Sequence, residues 1–194
     1  MKKSLGAKTL AFPTPVWVVG TYDADGKPNV MTAAWAGIVN SDPPSVAVSL
    51  RKATYTHGNI LRRKAFTISV PSEEYVREAD YMGITSGAKE DKFAVSGLTP
   101  VPSDLVDAPY VKEFPLIIEC RLAHTMELGL HTHFVGEIVD VKADARILGS
   151  QGFPDIKKGK PIVFAPGTRT YHGIGRHLGH AFKIGRSLQD RRSE

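Results

Sequence analysis

Asn29–Asn59 reads NVMTAAWAGIVNSDPPSVAVSLRKATYTHGN, and the rest of the chain is organised around it. Its pattern is strand, proline-rich loop, strand, then the start of a helix. Thr32 and Trp35 lie in the first segment, and the second ends in Ser49-Leu50-Arg51. Thr54, Tyr55, Thr56 and His57 follow at the helix start. A helix N-terminus leaves N–H groups unpaired and carries partial positive charge, so a phosphate is at home there. An indole on a small-residue strand beside such a site suits a flat, phosphorylated ring of the nucleotide-cofactor kind.

Working outward, Thr9 to Tyr22 is apolar and β-branched, and Asp23-Ala24-Asp25-Gly26 is a turn signal. Lys27 to Val39 returns as a second strand, so residues 9–39 are expected to form a hairpin. With a period of two, Asn29, Met31, Ala33 and Trp35 share one face. Asn29 to Trp35 spans roughly 20 Å, about the length of a flavin mononucleotide. Asn40-Ser41-Asp42-Pro43-Pro44 breaks the sheet before Ser45–Leu50, where Val46, Val48 and Leu50 read as core while Ala47, Ser49 and Arg51 face the other way and read as a polar or ligand-facing edge. A helix over about 54–63 precedes a buried strand at Ala65–Val70. Residues 72–95 read as helical with a break at Gly83–Gly87, and the proline-rich stretch 98–115 reads as irregular. Two strands, Leu116–Met126 and His131–Val141, form a second hairpin, and Pro161–Phe164 is the last strand. Many short strands with inserted helices indicate a mainly β, α+β protein with an antiparallel barrel or sandwich core.

The 194 residues suit a single domain spanning 1–194, with a core over about 9–166 and a basic C-terminal extension over about 167–194. Hydrophobic residues make up 42% of the chain, enough for a core and too many for disorder. No window approaches ~18 consecutive apolar residues, so no membrane span is expected. The first residues carry two lysines without an apolar run, unlike a secretory signal. The lone Cys120 reads as a buried strand residue before it reads as a redox thiol. A cytoplasmic protein is the expectation. The net charge of +5 raises nucleic acid as a partner. The charge is dispersed, however, and aromatics, at 8%, are not clustered on one strand face, so no nucleic-acid role is expected.

Signals for other chemistries fail. Gly173-Ile174-Gly175-Arg176-His177-Leu178-Gly179 has a last gap one residue too long for GxGxxG, and neither a Walker A loop nor HExxH is present. His131 and His133 share a strand face, but two imidazoles make a poor metal site, so no metal is expected. Taken singly, Trp35 and Phe164 read as core, Lys92 as surface charge and Thr56 as a helix-start hydroxyl. Only their combination points to a site.

Asn29-Val-Met-Thr-Ala-Ala-Trp35, Ser41-Asp-Pro-Pro44 and Ser49-Leu-Arg51 with Thr54–Asn59 resemble the flavin reductase-like family of FMN-binding split barrels. Lys89–Phe93, Gly97–Pro102 and Phe134–Glu137 agree, and the resemblance runs over about residues 9–166. It implies a six-stranded antiparallel split barrel with Greek-key topology, a homodimer, and FMN near the subunit interface. Carried over, Thr32, Ala33 and Trp35 would border the isoalloxazine, with Asn29 on the same strand. Ser49, Arg51, Thr54 and Thr56 would approach the ribityl-phosphate, assisted by Lys92. Phe164 would pack against the ring system or over the nicotinamide space, and His131 would act at the flavin in redox tuning or catalysis. His131 follows Leu128-Gly-Leu130, where many reductases of the family carry Gly-Asp-His, so the chain lacks their aspartate. The resemblance implies electron transfer through bound FMN with a redox partner protein, in anaerobic sulfur metabolism. The alternative is an NAD(P)H-dependent flavin reductase, and the alternative of another class is a non-redox nucleic-acid-binding barrel.

Overall fold

The computed structural model describes residues 1–186 and 188. In chain order they form β1 (Thr14–Pro15), β2 (Trp17–Tyr22), β3 (Pro28–Ala33), β4 (Ala36–Ser41), β5 (Pro44–Arg51), α1 (Tyr55–Arg63) and β6 (Ala65–Val70). Then come α2 (Val76–Ile84), α3 (Lys92–Ser96), β7 (Pro100–Pro102), β8 (Pro109–Val111), β9 (Leu116–Leu128), β10 (His131–Ala143), α4 (Ile156–Gly159), β11 (Val163–Ala165) and β12 (Thr170–His172). No helix among the described residues is long and apolar enough to cross a membrane.

Seven strands make the main antiparallel sheet, in the order β3-β2-β6-β9-β10-β5-β4. β3 and β4 therefore lie at opposite edges, yet only Ala34 and Trp35 join them. Two residues span roughly 7 Å, so the edges must meet and the sheet must curl into a barrel. The Ser49 N–H donates to the Trp35 carbonyl at 2.8 Å and fixes β5 against that corner. β3 and β4 share no ladder, so the barrel is split there. The expected hairpin over residues 9–39 is thus corrected: β2 pairs with β3, but the chain breaks at Ala34-Trp35 and β4 pairs with β5. The expected six strands become seven in the main sheet for the same reason, with the class unchanged.

Two apolar cores follow from the alternation along β2 and β3. Val19 and Ala33 join Val48, Leu50, Phe66, Cys120 and Phe134 inside the barrel, with α1 contributing Ile60. Val18 and Val30 face the other way, onto Ala79 and Met82 of α2 and Phe93 of α3. The stretch 98–115, expected to be irregular, forms a short β7–β8 hairpin closing this outer core. Gly20 is required where β8 crosses β2, because a Cβ there would lie 2.0 Å from the Pro109 carbonyl oxygen. β11 pairs with both β1 and β12, so regular sheet continues past residue 166. The end of the basic tail, residue 187 and residues 189–194, lies outside the described residues.

Candidate functional site

β5 ends at Arg51 and α1 begins at Tyr55, and this corner forms one wall of a cleft of about 220 Å³. Met31, Thr54, Thr56, Ser86, Gly87 and Lys92 are among its lining residues. Thr54 is the N-cap of α1, but its hydroxyl donates to the Arg51 carbonyl at 2.8 Å and caps no helix N–H. The His57 amide donates to the Thr54 carbonyl at 3.2 Å, while those of Tyr55 and Thr56 keep their capacity to bind an anion. Asn29 Nδ2 donates to the Thr56 hydroxyl oxygen at 2.9 Å, which leaves the Thr56 proton free to donate onward. Asn29 Oδ1 is buried without a partner and lies where a Cβ on Gly87 would come within 1.9 Å. Only glycine at 87 leaves that oxygen room.

Lys92 is 4% exposed, and its Nζ donates to the carbonyls of Val30 and Met82, both at 2.8 Å. It forms no ion pair with any described carboxylate. Burial pushes its pKa down to about 8. An ammonium has three donors, so one remains after the two carbonyls are served. These bonds and one from the Thr32 hydroxyl to the Ala79 carbonyl pin α2 along β3.

Further along the same seam is a second cavity, of about 420 Å³, lined by Trp35, Asp80, Phe164, Arg169 and Tyr171. Tyr171 donates to Asp80 Oδ1 at 2.8 Å, and burial together with that carboxylate pushes the phenol up to about 12. The Phe164 and Tyr171 rings lie 5.6 Å apart. Met31 and Gly83 border the first cavity, Trp35 and Asp80 the second. Met31 lies on β3 and Trp35 at the corner two residues beyond its end. Gly83 and Asp80 are one turn apart on α2.

The structure thus gathers Thr54, Thr56 and Lys92 at one cleft, with Asn29 directly behind it. Trp35 and Phe164 meet at the other cavity. Thr32 faces α2 and spends its hydroxyl on Ala79, while Ala33 is buried in the barrel core. Ser49 and Arg51 are not brought into either cavity. They sit on the outer face of β5 opposite His133 and His131 of β10. Ser49 Oγ and His133 Nδ1 share a hydrogen bond of 2.7 Å, and Arg51 is exposed. His131 is half-buried on that same face, which Leu128 and Met126 of β9 continue.

Beside the cleft, Thr132 donates to Glu127 Oε1 at 2.9 Å, so His57 Nε2 must carry the proton it donates to Thr132 Oγ1 at 2.8 Å. Lys52 pairs with the same carboxylate and holds its pKa down, while burial lowers that of His57. Cys120 is fully buried, and burial pushes its thiol up to about 12, which leaves it no thiolate for redox chemistry.

Asp80, Arg169 and Tyr171 escaped the sequence reading. Asp80 and Tyr171 stand 91 residues apart, and no spacing rule links them. Ser86 and Gly87 had a signal, the break after Ile84, but not one that placed them against Thr56. No group of three or more described His, Cys, Asp or Glu side chains could hold a metal ion.

A solved structure of flavoredoxin from Desulfovibrio vulgaris (Miyazaki F) is 61% identical, with a TM-score of 0.92 over 95% of this chain and 100% of that one. A protein of Archaeoglobus fulgidus is 40% identical over 115 residues, 59% of this chain and 65% of that protein. A high molecular weight rubredoxin of Moorella thermoacetica is 28% identical over 150 residues, 76% of this chain and 59% of that protein. The chain therefore spans just under two thirds of the first of these two proteins and about three fifths of the second. The model of the flavin reductase like domain matches residues 9–171, which takes in every strand of the barrel and both cavities. The chain belongs to the flavin reductase-like domain family.

Proposed function

We propose that this chain is an FMN-binding electron-transfer protein of the flavoredoxin kind. One observation carries the reading: Lys92 is a buried cation with no acidic partner among the described residues, beside a cleft edged by an uncapped helix start. A buried charge without a counter-charge is costly, and a phosphate monoester in the cleft would supply one. The hydroxyls of Thr56 and Ser86 and the amides of Tyr55 and Thr56 offer the donors such a group requires. From there the β3–α2 seam leads to Trp35, whose indole is 37% exposed and can border a flat ring. The donor set fits FMN at both ends. Bound FMN would supply reversible one- and two-electron chemistry.

The protein's part is to hold, orient and tune. Lys92 and α1 fix the phosphate, Trp35 limits solvent at the ring, and Asn29 holds the Thr56 hydroxyl with its proton free to donate. His131 lies on the outer face of the barrel and is proposed to act on the ring's potential by donating a hydrogen bond or charge. That face and the β4 edge carry Ile38, 78% exposed, and Val39, Met126, Leu128 and Leu130, all exposed. A second copy would bury them, which supports a homodimer with the ring near its interface.

A redox partner protein is favoured over NAD(P)H because the aspartate expected beside His131 in the reductases is absent. FMN and riboflavin titrations test the binding reading. FMN must bind more tightly, and equal affinities would remove the phosphate site. Anaerobic rapid mixing with NADH and NADPH tests the partner: slow or no bleaching is expected, and fast bleaching would make the chain a reductase.

A further inference from the structure

We infer that the face built by β1, β11 and β12 is the docking surface for the redox partner, and that this partner is an acidic protein. The inference deepens the electron-transfer reading and rests on it for the place of the flavin ring. The surface itself stands on this chain's own charges.

Residues 1–22 and 156–186 hold ten Lys and Arg and no Asp or Glu. The rest of the chain holds fifteen against twenty, so it is net negative by five while the whole is net positive by five. The two runs stand at opposite ends of the sequence, where they read as dispersed charge, and the fold joins them. Thr14 and Pro15 of β1 pair with Phe164 and Val163 of β11, which pairs in turn with β12. All ten cations are exposed. Every ion pair among the described residues uses a cation from elsewhere in the chain, so these ten keep their charge for a partner.

Lys8 and Arg169 line one open groove of about 680 Å³, and Thr9 and Arg169 also line the cavity that contains Trp35 and Phe164. Asp80, the one described carboxylate lining that cavity, accepts a hydrogen bond from Tyr171. Gly167 joins the groove to an apolar hollow of about 410 Å³ beside Phe12, which is 76% exposed. An apolar patch inside a charged rim is the make-up of a transient protein interface. Lys2 and Lys3 are within six residues of Lys8, and Arg176 is four residues past the end of β12, so none is more than roughly 20 Å away along the chain. Such a surface steers a negatively charged protein towards the ring, and salt screens the steering. A second copy of this chain does not suit it, because a two-fold contact would set cation against cation.

The test uses the full-length protein loaded with FMN, a plant-type [2Fe–2S] ferredoxin as the acidic probe and cytochrome c as the basic one. In anaerobic rapid mixing each reduced ferredoxin gives up one electron, and two reduce one FMN, which takes its protons from solvent. Cytochrome c is mixed in its oxidised form with the reduced flavoprotein and accepts one electron. The second-order rate with ferredoxin should fall about tenfold or more between about 20 and 300 mM salt, and that with cytochrome c should not fall. Lys2→Glu, Lys3→Glu and Lys8→Glu together should lower the low-salt ferredoxin rate about tenfold while FMN affinity stays unchanged. Carbodiimide coupling should join ferredoxin carboxylates to Lys2, Lys3 or Lys8. A salt-independent ferredoxin rate, an unchanged rate in the triple variant, or cross-links confined to the lysines from Lys27 to Lys142 would each overturn the inference. So would a triple variant that loses only its dimerisation, or salt-sensitive capture of a single-stranded oligonucleotide in place of ferredoxin. If FMN itself fails to bind, the electron-transfer reading falls, and cross-linking of the flavin-free protein to ferredoxin decides the docking surface on its own.

Discussion

Replacing Lys92 by methionine keeps most of the side chain's volume and removes the only cation among the described residues that line the cleft. A hydrogen bond to a charged group contributes about 1.5–3 kcal/mol. The dissociation constant for FMN should therefore rise roughly 10- to 150-fold, while riboflavin, which has no phosphate, should bind as before. The same residue sets a pH dependence. Its pKa is about 8 in the flavin-free fold, because burial disfavours the charge, and a bound phosphate raises it. FMN affinity should be constant below about pH 8 and fall up to about tenfold per unit above it. Stability of the flavin-free protein runs the other way. Between about 8 and 10.5 the unfolded chain holds the proton and the folded chain does not, so stability rises with pH across that window, by about 3 kcal/mol in all. Both slopes should disappear in Lys92→Met. Fluorescence titration of FMN and riboflavin between pH 7 and 9.5, with urea unfolding over pH 7 to 10.5, reads all of these quantities. Equal losses for FMN and riboflavin, or an FMN affinity that ignores pH, would refute the reasoning.

Gly87→Ala places a Cβ within 1.9 Å of Asn29 Oδ1 and should displace the Asn29–Thr56 pair, weakening FMN about tenfold; unchanged affinity would show that the pair does not shape the cleft. Cys120 should resist thiol reagents in the native protein and react only after unfolding, since its pKa is about 12 and the residue is fully buried; rapid native labelling would contradict the burial. If His131 acts on the ring as proposed, His131→Ala should shift the midpoint potential of bound FMN to a more negative value, and an unmoved potential together with an unmoved reduction rate would remove His131 from the redox site.

Local pattern made several elements legible. Ala65–Val70 is a β-branched apolar run between polar ends, and it forms β6 over those residues. The α1 start was readable from Thr54 and the preceding cation, because a cap and a strand end are local features. The break at Ala34-Trp35 was not readable. Residues 27–39 keep their apolar character through the corner, and only the meeting of two sheet edges forces the chain to turn there. Lys92 shows the same division. Its sequence neighbours suggest a surface charge, while the packing of α2 and α3 on β3 buries it against two carbonyls. Period-two alternation placed Ser49 and Arg51 on the side of β5 opposite Val48 and Leu50, where they lie across from His133 and His131, but alternation cannot say what that side faces. Asp80, Arg169 and Tyr171 converge through tertiary contacts alone.

The central claim is that the cleft at the start of α1 holds the phosphate of FMN. The most direct measurement is the visible spectrum of the purified protein, followed by release and identification of its chromophore. The account predicts a yellow protein that releases FMN in equimolar amount, or a flavin-free protein that becomes yellow with FMN and far less so with riboflavin. A colourless protein that takes up no FMN would contradict it.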